Sequence, residues 1–362
     1  MYIGIIGLPN SGKTTVFNAL TRGQAETNAF SSGKLEVHTA MVDVPDPRVD
    51  VLAAMFRPRK VTRAQVRYAD IAGLSRGIGE RGDLEGGLLA QINQADALLH
   101  VVRAFEDPDV LHIEETVDPR RDGAILDTEL CLADLGIVER RLSRLEAGLA
   151  KRSLPAAERE ALVLEREQLT RLRAELEEGR PLRDLALEAA DLRLLRSIAL
   201  ATAKPLLLVL NTGEQGASCD ALAGCERERT VVAALQGKLE MELAQMEALD
   251  AAEFLAEYGI EEPGLNRMVR LSYGLLGLMS FFTVGEDEVR AWTVPVGAKA
   301  VEAAGAIHSD LARGFIRAEV VAYDDLVAAG GLVEAKKRGT VRLEGKDYIV
   351  QDGDVLNIRF NI

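Results

Sequence analysis

The octapeptide GLPNSGKT, residues 7–14, constrains this chain more than any other stretch. It follows the apolar run YIGII and precedes the helical pattern Val16, Phe17, Leu20, so the segment reads strand, loop, helix. Gly7, Gly12, Lys13 and Thr14 fall in the pattern GxxxxGK followed by Ser or Thr, in the context that the motif requires. Glycines let consecutive backbone N–H groups turn inward around phosphate oxygens, and the helix N-terminus adds its positive dipole. Such a loop belongs to an α/β domain. The runs VRYADI, ALLHVVRAF, PLLLVLN and TVVAAL, separated by helical stretches, supply further strands for a mainly parallel sheet with helices on both faces.

Two changes of texture divide the rest of the chain. Between residues 124 and 200 leucines and charges dominate, and Leu135, Val138, Leu142, Leu145 and Leu149 step by three and four, as in a coiled-coil seam. Leu162, Leu169, Leu172 and Leu176 repeat the pattern after a break in which Pro155 suits the first turn of a new helix. Two long antiparallel helices are expected. From about residue 280 short alternating strands with glycine turns take over, and Asp352-Gly353 reads as a hairpin. The expected division is a nucleotide-binding domain over 1–123 and 201–279, a helical insert over 124–200, and a small β-rich domain over 280–362.

The 362 residues suffice for these domains, and a 48% hydrophobic content describes an ordinary globular protein. The amino terminus lacks the basic flank and cleavage site of a signal peptide, and the apolar runs are strand-length. A cytoplasmic location with no membrane association is expected. Cys131, Cys219 and Cys225 lack metal-ligand spacing and read as reduced thiols. A net charge of −14 excludes wholesale coating of nucleic acid, leaving only a local basic patch for RNA. Arg57, Arg59, Lys60, Arg63 and Arg67 form one such run, read first as a solvated loop and edge strand.

Lys13 reaches the terminal phosphates in this type of loop, and the Thr14 hydroxyl can ligate Mg²⁺. Asp70, at the end of VRYAD, places a carboxylate where such folds hold Mg²⁺, and the Gly73 N–H can sense the γ-phosphate. Lys13 and Gly73 are therefore the candidate catalytic groups. The residue after DIAG is Leu74, which cannot orient a water, so hydrolysis is slow or borrows that group from elsewhere.

GLPNSGKTTVFNALT, VPDPRVD, DIAGL, NTGE and the tail from EVRAWTVPVG to GDVLNIRFNI together resemble, from end to end, the YchF family of Obg-like ATPases. The resemblance implies a P-loop domain, an inserted helical arm and a C-terminal, ubiquitin-like TGS domain. It further implies a monomeric, Mg²⁺-dependent NTPase that prefers ATP to GTP and associates with the ribosome and its RNA. Carried over by position, Asn10, Ser11, Gly12, Lys13, Thr14 and Thr15 match the phosphate loop, and Asp70 and Gly73 the second switch. Asn211, Thr212 and Glu214 match the base-reading loop, and Gln236 and Gly237 the loop closing over the base. Asn10 also occupies the position that holds K⁺ in related enzymes. The first switch departs from the family: counting back from VPDP puts Lys34 at the Mg²⁺-ligating threonine, leaving Ser31, Ser32 and Thr39 as alternatives.

In guanine-specific loops an aspartate accepts from two guanine donors, a pairing that the longer Glu214 spoils. Residues alone imply relaxed selectivity, and the resemblance adds a preference for ATP. Two alternatives differ in class: a GTP-specific relative, and a nucleotide-gated ribosome- or RNA-binding module with negligible hydrolysis.

Overall fold

Apolar runs buried on both faces form strands, and the five marked in the sequence lie side by side. The computed structural model describes residues 1–23, 37–71, 86–151, 154–213, 216, 219–257 and 262–361. Strands β1 (Tyr2–Ile6), β2 (Val37–Asp43), β3 (Lys60–Thr62), β4 (Gln65–Ile71), β5 (Ala97–Ala104), β6 (Leu206–Thr212) and β7 (Thr230–Leu235) come first along the chain. All but β3 form one sheet in the order β2-β4-β1-β5-β6-β7, in which β4, β1, β5, β6 and β7 run parallel. Every residue of β6 is buried, as both-face coverage requires. The parallel register sets Ile5 beside Asp70, Ile6 beside His100 and Arg103 beside Asn211, so the carboxyl ends of four strands meet at one edge. That edge is where open α/β sheets bind ligands.

Helices α1 (Lys13–Thr21), α2 (Pro47–Phe56), α3 (Gly86–Gln94), α4 (Pro119–Leu149), α5 (Ala156–Glu177), α6 (Ala189–Ile198) and α7 (Gly237–Gln245) intervene. The coiled-coil seam is realised. Val138, Leu142 and Leu145 of α4 share a core with Leu169, Leu172 and Leu176 of α5, with Leu135 and Leu162 at its margin. Arg141 clamps the pair by donating to both oxygens of Glu165, at 2.7 and 3.0 Å. α4 starts at Pro119, upstream of residue 124, because the Asp118 carboxylate caps the N–H groups of Arg120 and Arg121. At the base of the arm buried Asp134 accepts from the Ala201 and Thr202 N–H groups and from the Thr202 hydroxyl. Burial nevertheless pushes its carboxyl up to about 6.

The chain divides into two compact units, residues 1–41 with 67–268, and residues 42–66 with 269–362. The second contains strands β8 (Leu278–Thr283), β9 (Glu288–Pro295), β10 (Phe315–Ala322), β11 (Arg342–Glu344) and β12 (Asp354–Phe360). Its sheet order is β11-β10-β12-β8-β9-β3. Residues 42–66, which the sequence reading places within 1–123, thus belong to the second unit. Their anchors are specific: β3 pairs with β9, Lys60 opposite Glu288, and Arg48 binds Asp46 and Asp352 together while lying over the Phe282 ring. The run 57–63 contains the edge strand β3, and three of its four cations face acids: Arg59 with Asp287, Lys60 with Glu288 and Arg63 with Asp50.

Asp352-Gly353 is a turn but not a hairpin. Gly353 has the left-handed φ of 89°, yet β12 pairs with β10 and β8 rather than with the segment before the turn. The reason lies in Asp352, whose carboxylate accepts from the Ser280 N–H and from Arg48, docking the turn on β8 and α2. Among the described residues no helix is long and apolar enough to cross a membrane.

Asp134 joins α4 to the segment that enters β6 through three hydrogen bonds from buried donors. Asp134→Ala is expected to destabilise the first unit by about 3 kcal/mol. An earlier thermal transition in circular dichroism is the expected readout, and an unmoved transition contradicts the assignment.

Candidate functional site

The loop leaving β1 adopts its shape because two residues accept left-handed backbone, Asn10 at φ 61° and Gly12 at φ 89°. Asparagine tolerates that region and glycine prefers it. A side chain at Gly12 is also excluded by contact, since a Cβ there would lie 2.1 Å from the Asn211 Nδ2. α1 begins at Lys13 with no side chain capping its first turn. Its free N–H groups and dipole therefore face outward, ready for an anion. Ser11, buried, and half-buried Thr15 flank that turn.

Lys13 Nζ donates to the Leu8 carbonyl at 2.8 Å. Desolvation pushes the ammonium down to about 8, against the pull of Asp70 in the other direction. Thr14 Oγ1 donates to Asp70 Oδ2 at 2.7 Å, while Asp70 Oδ1 is buried with no hydrogen-bond partner among the described residues. A hydroxyl and a carboxylate with a free buried oxygen are hard donors, and they fit Mg²⁺, which takes few protein ligands and keeps waters or phosphates for the rest.

Asn211, near the end of β6, is engaged at both atoms of its amide. Its Nδ2 donates to the Ser11 carbonyl at 3.0 Å, and its Oδ1 accepts from the Gly237 N–H at 3.1 Å. A Cβ at Gly237 would lie 2.6 Å from that Oδ1, so both glycines of the site make room for the same asparagine. Buried Thr212 donates to the Leu235 carbonyl at 3.4 Å, and Gln236 Nε2 to the Gly213 carbonyl at 3.4 Å. The structure therefore gathers Asn10 to Thr15, Asp70, Asn211, Thr212, Gln236 and Gly237 at one edge of the sheet. Gly73, Leu74, Glu214, Ser31, Ser32 and Lys34 lie outside the described residues. Thr39 is an exposed residue of β2.

Four neighbours of the loop have no local signature in the sequence. Asn10 Nδ2 donates to the Leu111 carbonyl at 3.1 Å, and Arg103 Nη2 to the Val110 carbonyl at 2.9 Å. Arg103 also covers the Phe105 ring, and His112 meets Asp122 at 2.8 Å. Together these groups strap residues 105–118 beside the phosphate loop. The Asp118 cap, with Pro119 in the first turn of α4, fixes where the strap ends. His100, buried in β5, is held neutral: desolvation first, then the charges of Arg183 and Lys13, push it down to about 3.

Two family models match. Residues 2–125 match a model described as a 50S ribosome-binding GTPase, and residues 278–361 match one named for the C-terminal region of YchF GTPases and described as a protein of unknown function. The chain is 42% identical over 370 residues to the ribosome-binding ATPase YchF of Bacillus subtilis, covering 99% of both chains. Its identity to the protein of that name from Haemophilus influenzae is 42% over 364 residues, again covering 99% of each. A solved structure, that of the Schizosaccharomyces pombe YchF GTPase, superposes with a TM-score of 0.84 at 28% identity, covering 99% of this chain and 97% of the other.

Lys13 must carry its proton to hold a phosphate, and bound phosphates raise its pKa further. Triphosphate affinity is therefore expected to be level below its free-state pKa of about 8 and to weaken as pH rises through it. The limiting slope is about tenfold per pH unit. Titration across that range checks this, and a flat profile contradicts it.

Proposed function

The chain belongs to the YchF family, and from that premise we propose that it is a ribosome-binding ATPase whose phosphate chemistry rests on Lys13, Thr14 and Asp70. The single observation that carries the reading is the Thr14–Asp70 hydrogen bond beside Lys13, with the second Asp70 oxygen buried and without a hydrogen-bond partner among the described residues. Thr14 Oγ1 and Asp70 would hold Mg²⁺, directly or through water, and the ion would supply neutralisation of phosphate charge. Lys13 exchanges its contact with the Leu8 carbonyl for phosphate oxygens, and the N–H groups from Asn10 to Thr15 close around them. By its position in the sequence, Gly73 is the proposed sensor of the γ-phosphate. Leu74 offers the attacking water no hydrogen bond, so turnover without a partner is slow.

Base recognition falls to the loops that Asn211 holds. With both amide atoms of Asn211 engaged, the backbone around Thr212 and Gly213 and the cover formed by Gln236 and Gly237 meet the base. Adenine presents an acceptor and a donor that backbone groups can read without a carboxylate. Glu214, one methylene longer than aspartate, does not clamp guanine, and ATP is the preferred substrate. At Asn10 the amide nitrogen is engaged by the Leu111 carbonyl, and its Oδ1 is an oxygen donor of the kind K⁺ takes. The protein works as a cytoplasmic monomer, and ribosomal RNA forms part of its docking surface.

Purified protein is expected to hydrolyse ATP slowly with Mg²⁺, faster in K⁺ than in Na⁺. Lys13→Ala loses ATP binding by about 100-fold or more, since it removes a charge-assisted contact from a desolvated site. Competition of labelled ATP by GTP favours ATP in the wild type, and Glu214→Asp narrows the gap. Undiminished turnover in Lys13→Ala, or tighter competition by GTP, overturns the proposal.

A further inference from the structure

An open groove of about 360 Å³ runs along the helical arm, lined by Ile137, Arg140, Arg141 and Arg144 of α4 and by Ser197 and Ile198 of α6. Three of its six lining residues are arginines and none is an acid. Arg141 is fixed by Glu165. Arg140 and Arg144 are exposed, stand one helical turn apart, and make no ion pair among the described residues. Like charges four residues apart on a helix weaken it, so folding stability does not account for the pair. The contrast with the run 57–63 is direct, because there Arg59, Lys60 and Arg63 each face a carboxylate.

We propose that this groove on the arm is a docking site for the phosphodiester backbone of RNA, seated by Arg140 and Arg144 and completed by Ser197. The inference rests on the ribosome-binding reading and specifies a surface for it. Planar guanidinium forks match phosphate oxygens in pairs, and on a chain of net charge −14 a local cluster with no acid in its lining favours a polyanion. Ser197 refines the choice. Its hydroxyl proton is donated to the Leu194 carbonyl at 2.7 Å, so the oxygen offers only lone pairs to a ligand. A phosphate oxygen cannot use them, whereas a ribose 2′-OH can donate to them, and that hydroxyl separates RNA from DNA. Ile137 and Ile198 form the apolar walls along which the arginine stems lie.

The test uses the full chain with Arg140→Gln/Arg144→Gln and, separately, Ser197→Ala, neither of which touches the nucleotide site. The probes are a fluorescent RNA hairpin, the DNA hairpin of the same sequence, and a poly-glutamate peptide, titrated at graded salt. The double variant is expected to bind the RNA hairpin about tenfold or more weakly. Its salt slope should fall by about 1.5, the loss of two phosphate contacts. Ser197→Ala should abolish the preference for RNA over DNA, and ATP turnover should be unchanged in both. Unaltered RNA affinity and slope in the double variant overturn the proposal, and so does preferential capture of the acidic peptide, which would assign the groove to a protein partner. Cosedimentation with ribosomes separates the two levels. Failure of the wild type to sediment sinks the ribosome-binding reading, whereas equal sedimentation of wild type and double variant sinks only the groove.

Discussion

The phosphate loop, the end of β6 and the start of α7 are held together by one side chain. Asn211 donates to the Ser11 carbonyl and accepts from the Gly237 N–H, and it occupies the space where Gly12 and Gly237 lack a Cβ. Two glycines in distant parts of the sequence, each required for its own loop, are therefore required for the same reason. A buried amide engaged at both its nitrogen and its oxygen specifies geometry, because flipping it sets donor against donor and acceptor against acceptor. For the proposed base recognition, the consequence is that Asn211, engaged with Ser11 and Gly237, would not distinguish one purine from the other. Selectivity must come from the residues after Asn211.

Electrostatics at the same edge of the sheet is arranged for a ligand rather than for stability. Desolvation lowers the Lys13 pKa to about 8, and among the described residues Asp70 keeps a buried oxygen with no hydrogen-bond partner. Each costs free energy in the protein alone, a cost that a bound anion and cation at this edge would offset. Parallel strand register makes this possible, since β4, β5 and β6 deliver Asp70, Arg103 and Asn211 near their carboxyl ends while their apolar centres fill the core.

Much of this was legible in the sequence, and what was legible is local. The five strands of the parallel sheet are continuous apolar runs, and the arm is a three-four leucine step, so short-range pattern decides both. The phosphate loop is legible because glycine, lysine and threonine must fall at fixed spacing. Placement of residues 42–66 in the second unit was not legible, because it depends on Arg48 meeting Asp352 across most of the chain. Asp352-Gly353 gave a true turn and a false hairpin for the same reason, its carboxylate being engaged by Ser280 and Arg48. The strap over residues 105–118 depends on Asn10, Arg103, His112 and Asp122, whose pairings obey no period. In each case the missed feature is a polar contact between distant residues, which no local spacing encodes.

The clamp is tested most directly by titrating ATP and GTP separately into the Asn211→Asp variant. Aspartate still accepts from the Gly237 N–H but sets a carboxylate oxygen against the Ser11 carbonyl, so the loop loses its anchor while the base pocket keeps its other groups. The account predicts that both nucleotides weaken by the same factor, leaving their ratio of affinities unchanged. A loss confined to one nucleotide would contradict it, because Asn211 would then be reading the base.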